Sequence, residues 1–234
     1  MHAQTLDGRV ALVSGATASM AAQFARDVTD RGGRVAVAGK SSVELDGTIG
    51  ALGPARALLV GDPPADEATA RALVASVHEA LGPVTIVVHA AAPTAAGPVA
   101  ELSIDDWQRG TADVLDTAFL LVQATAPAMV EASFGRHVLL GSSSAHTGRP
   151  ERAVLAATTT AGLDGLARTI AQELGRQGVT ANVVLAGPAD GTPTAIGRPV
   201  DEAEVSSMCM QLCSDAGAAV TGARVLVDGG VMGR

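Results

Sequence analysis

Seven short apolar runs alternate along this chain with longer stretches of helical period, and that alternation limits its fold more than any other feature. The runs cover residues 10–13, 34–38, 57–60, 84–88, 137–140, 180–185 and 224–227. They are continuously apolar instead of alternating apolar with polar, the pattern of strands covered on both faces. Between them lie helical stretches at 20–30, weakly at 42–52, then at 66–81, 105–130, 153–174 and 200–213. A repeated strand–helix order with right-handed crossovers gives an α/β fold of the Rossmann type, a doubly wound seven-stranded parallel sheet flanked by helices. In such a sheet, ligands bind beyond the carboxyl ends of the strands. No linker or shift of composition divides the 234 residues, so they are read as a single domain over 1–234.

Composition closes off several function classes. Sixteen basic against 24 acidic side chains leave a formal net charge of −8 with no basic cluster, so neither nucleic acid nor an anionic membrane is an expected partner. Cys209 and Cys213 lack the further Cys or His needed for a zinc site and are read as reduced core thiols, so no metal is expected. The first apolar run begins near Arg9, and no apolar run approaches the length of a membrane span, so a cytoplasmic location is expected. The chain has no Tyr, one Lys (Lys40) and one Asn (Asn182). Any mechanism that needs a phenol is therefore excluded. A genome poor in A/T-rich codons would thin all three residue types alike, so their positions matter more than their number.

After the first run the sequence reads Val13-Ser14-Gly15-Ala16-Thr17-Ala18-Ser19-Met20-Ala21, a strand, a turn and a helix start. Val60-Gly61-Asp62, Gly82-Pro83, Trp107, Gly135-Arg136-His137-Val138 with Ser142-Ser143, Ala161-Gly162-Leu163 and Glu173-Leu174 follow in order. The closing stretch runs from Ser214-Asp215 through Thr221-Gly222 to Val227-Asp228-Gly229-Gly230. In these motifs, and nearly end to end, the chain resembles the short-chain dehydrogenase/reductase family. The resemblance implies Gly15, Ser19, Met20, Lys40, Asp62 and Ala90 as cofactor-binding positions, with Asp62 meeting the adenine. Glycines in this loop let backbone N–H groups at a helix start approach a pyrophosphate without a Cβ in the way. Only Gly15 is kept; Ser19 stands at the second glycine and Ala21 at the third. Gly39-Lys40 ends the second strand, where an acidic residue would select NAD, so NADP(H) is the dinucleotide expected if any binds.

The residues of the chemistry depart further. In the family a Ser polarises the carbonyl, a Tyr transfers the proton, and a Lys four residues later lowers the Tyr pKa. A phenol near pKa 10 is a poor base at neutral pH until a cation stands beside it. Alignment on Thr160-Ala161-Gly162 puts Ala156 at the Tyr position and Thr160 at the Lys position. Val114 falls where a supporting Asn belongs, and His89-Ala90-Ala91-Ala92 replaces the family's Asn-Asn-Ala-Gly. Only the Ser remains, as Ser143 by spacing or Ser142 by strand alignment. The substrate lid, between about 188 and 199, is shortened to little more than Thr192-Pro193-Thr194 and Gly197-Arg198-Pro199.

Three readings follow. Classical hydride transfer is not expected, and the first is a non-catalytic structural or regulatory subunit of a homo- or hetero-oligomer. In the family, helices such as 105–130 and 153–174 and the C-terminal segment pair subunits as dimers or tetramers, and an active paralogue is a possible partner. The second is an NADP(H)-binding oxidoreductase or sensor with residual cofactor binding. The third is a cofactor-independent enzyme in which His89 approaches Ser142 or Ser143, with His146 and Asp113 or Asp116 nearby.

Overall fold

The computed structural model describes residues 5–143, 153–187 and 193–232. Seven strands, β1 (Val10–Ser14), β2 (Arg34–Ala38), β3 (Ala57–Leu59), β4 (Ile86–His89), β5 (Gly135–Ser142), β6 (Val179–Ala186) and β7 (Arg224–Val227), form one sheet. Every pair is parallel, in the order β3-β2-β1-β4-β5-β6-β7. The order reverses between β1 and β4. Their carboxyl ends therefore open a crevice at this switch point, where Gly15 and Ala90 stand.

Helices α1 (Ala18–Asp30), α2 (Val43–Leu52) and α7 (Glu202–Cys213) cover one face; α3 (Glu67–Leu81), α5 (Thr117–Glu131) and α6 (Ala153–Leu174) cover the other. Each face has its own apolar core. Phe24, Val88 and Val138 belong to the first, and Val87, Leu121 and Leu139 to the second. Double coverage explains the continuously apolar strands. Polar caps start the helices: the Thr17, Ser42 and Ser103 hydroxyls each accept a backbone N–H of the first turn. Asp66 and Asp201 form capping boxes with Thr69 and Glu204.

The stretch expected as one helix over 105–130 is three pieces. Helix α4 (Ile104–Thr111) runs into a π-helical turn over Ala112–Asp116 and continues as α5. Such single turns are rare and concentrate at functional sites. This one carries Val114. Small residues draw α6 onto it: a Cβ on Gly162 would lie 2.7 Å from Leu115, and one on Gly110 would lie 2.9 Å from Leu155. The expectation that no apolar stretch approaches a membrane span is also corrected. Ile104–Glu131 is one helical run of 28 residues with a window of mean hydropathy 1.2, long and apolar enough to span a bilayer by length and composition. Here it lies on the sheet, packed against α3, α6 and β5.

Candidate functional site

Two hollows open at the switch point. The larger, about 700 Å³, runs from the turn after β1 past Lys40 and Asp62 to Asp113 and Asp116. Gly15 makes its floor possible, since its φ is +74° and a Cβ there would lie 2.6 Å from the Ala91 Cβ and 2.9 Å from the Ala91 backbone. Glycine is thus required by the approach of the two strand ends as well as by any ligand. Lys40, at the end of β2, and Asp62, beyond β3, are both exposed on its rim.

The smaller hollow, about 230 Å³, lies deeper, between the strand ends and α6. Val114, Leu140, Ala156, Thr160 and Leu163 make it largely apolar, with Met20, Ala90 and Ser142 at its margins. Ala156, Thr160 and Leu163 recur at helical spacing, so one face of α6 forms a wall. The three positions that the sequence comparison matched to Asn, Tyr and Lys are thus brought around one cavity, and none of them carries an ionisable group. Thr160 is buried, and its hydroxyl accepts the Ser142 backbone N–H at 3.2 Å. Ser143 is fully buried in the turn after β5, where its hydroxyl finds no partner among the described residues.

His89 is not brought to either serine by a hydrogen bond. Its ring is fully buried and its Nε2 donates to the Val114 carbonyl at 3.0 Å, which leaves Nδ1 bare and without a partner among the described residues. Burial, opposed by that bond, pushes its pKa down to about 4, so the ring is neutral near pH 7. Side chains alternate between faces along a strand. Leu139, opposite His89, faces the second core while Leu140 faces the first, so Ser142 projects to the opposite side of the sheet from His89. Asp113 and Asp116 line the larger hollow instead, and His146 lies outside the described residues.

A feature with no counterpart among the expected residues sits where the hollows meet. Glu202, the first residue of α7, reaches the start of α1, and its Oε1 accepts from the Ser19 hydroxyl at 3.0 Å and the Thr17 hydroxyl at 3.4 Å. Two helix N-termini face this carboxylate, and their dipoles favour it. The start of α7 is held by its capping box and by both guanidinium nitrogens of Arg198 on Glu204, at 2.6 and 2.7 Å. This pairing draws the Glu204 carboxyl down to about 2. Ser19 and Glu202 are 183 residues apart, and neither one's surroundings in sequence point to the other.

The other expected features fall away from these hollows. Cys209 and Cys213 are buried and free, and desolvation pushes the Cys213 thiol up to about 12. Among the described residues no three His, Cys, Asp or Glu side chains cluster in a way that could hold a metal ion. Of the segment expected as a shortened lid, residues 193–199 are described. There Ala195 and Ile196 donate backbone N–H groups to the Gly229 carbonyl, which ties the segment to the turn after β7.

The comparisons with known proteins agree with this architecture. A family model described as enoyl-(acyl carrier protein) reductase matches residues 15–232. D-threitol dehydrogenase of Mycolicibacterium smegmatis is 31% identical over 243 residues, covering 96% of this chain and 93% of its own. A 3-oxoacyl-(acyl carrier protein) reductase of Pseudomonas aeruginosa is 30% identical, covering 97% and 98%. Among solved structures, a blue fluorescent protein from a metagenomic library, in complex with NADPH, superposes with a TM-score of 0.86 at 30% identity, covering 97% of this chain and 98% of its own. Sequence matches at nearly full length, on the same seven-stranded parallel sheet, place the chain in the short-chain dehydrogenase/reductase family of oxidoreductases.

Proposed function

We propose that this chain binds NADP(H) in the larger hollow and does not carry out the family's proton-relayed hydride transfer. The observation that carries the reading is the 700 Å³ hollow itself, floored by the Gly15 turn and bordered by Lys40, the only lysine of the chain. The NADPH complex of the similar blue fluorescent protein supports it. The residues present fit the adenosine half of the cofactor: Asp62 stands where an adenine amine would be met, and Lys40 with the Ser42 hydroxyl offers a cation and a donor to a 2′-phosphate, while the Ser41 hydroxyl is engaged by Asp46. A bound nicotinamide would supply a hydride. At the relay positions themselves the chain offers one neutral hydroxyl, since Val114, Ala156 and Thr160 stand there, and the general acid–base catalysis of that relay, worth roughly 100- to 10,000-fold, goes with it.

Titration of the full chain with NADPH and NADH, read by nicotinamide fluorescence and calorimetry, tests this. NADPH should bind about tenfold more tightly than NADH, and Lys40→Ala should erase the difference by weakening NADPH alone. Absence of NADPH binding up to millimolar concentration would end the reading.

Assembly is a second inference, favoured by apolar side chains left open on the helix and edge strand that the sequence comparison marked for subunit pairing. Phe119 on α5 is 52% exposed and Leu226 on β7 is 46% exposed. Sedimentation of the purified chain should give a dimer or tetramer; a monomer throughout would leave only a hetero-oligomer with another family member, detectable by co-purification from the native host.

A further inference from the structure

We infer that Glu202 sets which nucleotides the larger hollow accepts, by holding a carboxylate at the helix start where a dinucleotide would place its phosphate bridge. The inference rests on the nucleotide-binding reading above and concerns a residue that the reading does not use. In a doubly wound sheet the pyrophosphate is held at the N-terminus of the helix that follows the first strand, on its free N–H groups and positive dipole end. In this chain the side chains of that first turn already serve an internal anion. Ser19, which stands at a glycine position of the loop, donates to Glu202 at 3.0 Å, and Thr17 reaches the same oxygen at 3.4 Å. A glycine at 19 would have no hydroxyl to give.

The placement is built, not incidental. Glu202 is half-buried, its helix start is fixed by the Asp201–Glu204 capping box and Arg198, and α7 runs beside α1, where the Ser206 hydroxyl donates to Asp27 at 2.5 Å. Thr17 lines both hollows and Glu202 the smaller one, so the carboxylate stands at their junction. A ligand confined to the adenosine side does not meet it. A full dinucleotide must bring a second negative charge alongside Glu202 or break its two hydrogen bonds. The site therefore discriminates between ligands of one class by how far they extend towards the nicotinamide end.

The test compares NADPH with adenosine 2′-phosphate, which has the base, the ribose and the phosphate directed at Lys40 but none on the 5′ side. Binding of each to wild type, Glu202→Gln and Ser19→Gly is measured by calorimetry, with thermal melting as the control for folding. Glu202→Gln keeps the shape and removes the charge, and should tighten NADPH by about tenfold or more, the scale of one like-charge contact in a partly shielded site. Its affinity for adenosine 2′-phosphate should stay within about twofold of wild type, because that ligand carries no charge near residue 202. Ser19→Gly removes the hydroxyl that holds Glu202 but also a Cβ from the phosphate path, so tighter NADPH in Ser19→Gly alone, with Glu202→Gln like wild type, would overturn the role of Glu202. Equal NADPH affinity in all three proteins, with adenosine 2′-phosphate still bound, would overturn the role of Glu202 and leave the nucleotide reading standing. Failure of both ligands to bind any of the three would overturn both.

Discussion

An Ala156→Tyr protein is expected to carry a phenol that titrates above its ordinary value near 10, and adding Thr160→Lys is expected to lower that titration by about 1 to 3 pH units. Both positions lie on one face of α6, four residues apart, and both line the 230 Å³ cavity. A phenol placed alone among Val114, Leu140 and Leu163 loses solvation of its anionic form, which raises its pKa. An ammonium one helical turn away favours the phenolate and reverses the shift. Because the chain has no Tyr, the ultraviolet absorbance of the phenolate reports the introduced group alone, and no substrate is needed. The lysine has a structural cost, since it removes the hydroxyl that accepts the Ser142 backbone N–H, a bond worth about 1 kcal/mol. Melting curves of both variants must therefore accompany the titration. An equal or higher pKa in the double variant would mean that the cavity no longer holds the relay geometry. A lowered one would mean that the frame around the two positions still holds the relay geometry.

The frame was legible from sequence because the inner strands are buried on both faces, and a continuously apolar run of strand length between helical stretches fits little besides a covered parallel strand. Residues 34–38 and 224–227 were placed to the residue. β5 extends further at both ends than its apolar core, because Gly135, Arg136 and Ser142 continue the ladder through backbone pairing that no hydropathy pattern records, and β6 lengthens beside it by Val179 and Ala186. The π-helical turn at Ala112–Asp116 has no local sequence signal; it is visible only where α6, drawn in by Gly110 and Gly162, presses on the long helix. The positions matched to the family's relay were legible because family motifs on α6 give them addresses, and the cavity lining follows those addresses. Among the described residues no hydrogen bond joins His89 to Ser142 or Ser143, and a two-residue period puts the Ser142 side chain on the other face of the sheet. His89 turned instead to the carbonyl of Val114, a backbone atom that side-chain reasoning does not count. Glu202 was missed for a different reason. Its partners Thr17 and Ser19 lie in the loop at the other end of the chain, and only packing of α7 along α1 joins them.

His137 should make stability fall steeply between pH 6.5 and about 4, and His137→Leu should remove that part of the loss. The ring lies fully buried in β5, neither nitrogen has a partner among the described residues, and desolvation pushes its pKa down to about 4. In the unfolded chain the same group titrates near 6.5. Below that pH the unfolded state takes up a proton that the native state refuses, so the unfolded state binds more protons and stability drops as pH falls, until the native pKa is reached. At about 1.4 kcal/mol per pH unit, the loss from this one group is about 3 kcal/mol by pH 4.5. His89 adds a loss of the same sign over the same window, although its bond to Val114 tempers the desolvation. Carboxylates also titrate there, so the measurement is a difference: denaturant unfolding of wild type and His137→Leu at pH 7.5 and 4.5. At pH 7.5 the two should be close, because the substitution replaces an unpartnered buried ring with an apolar side chain of similar size. At pH 4.5 the variant should be more stable by about 3 kcal/mol, and parallel curves would show that the native state protonates His137 in place.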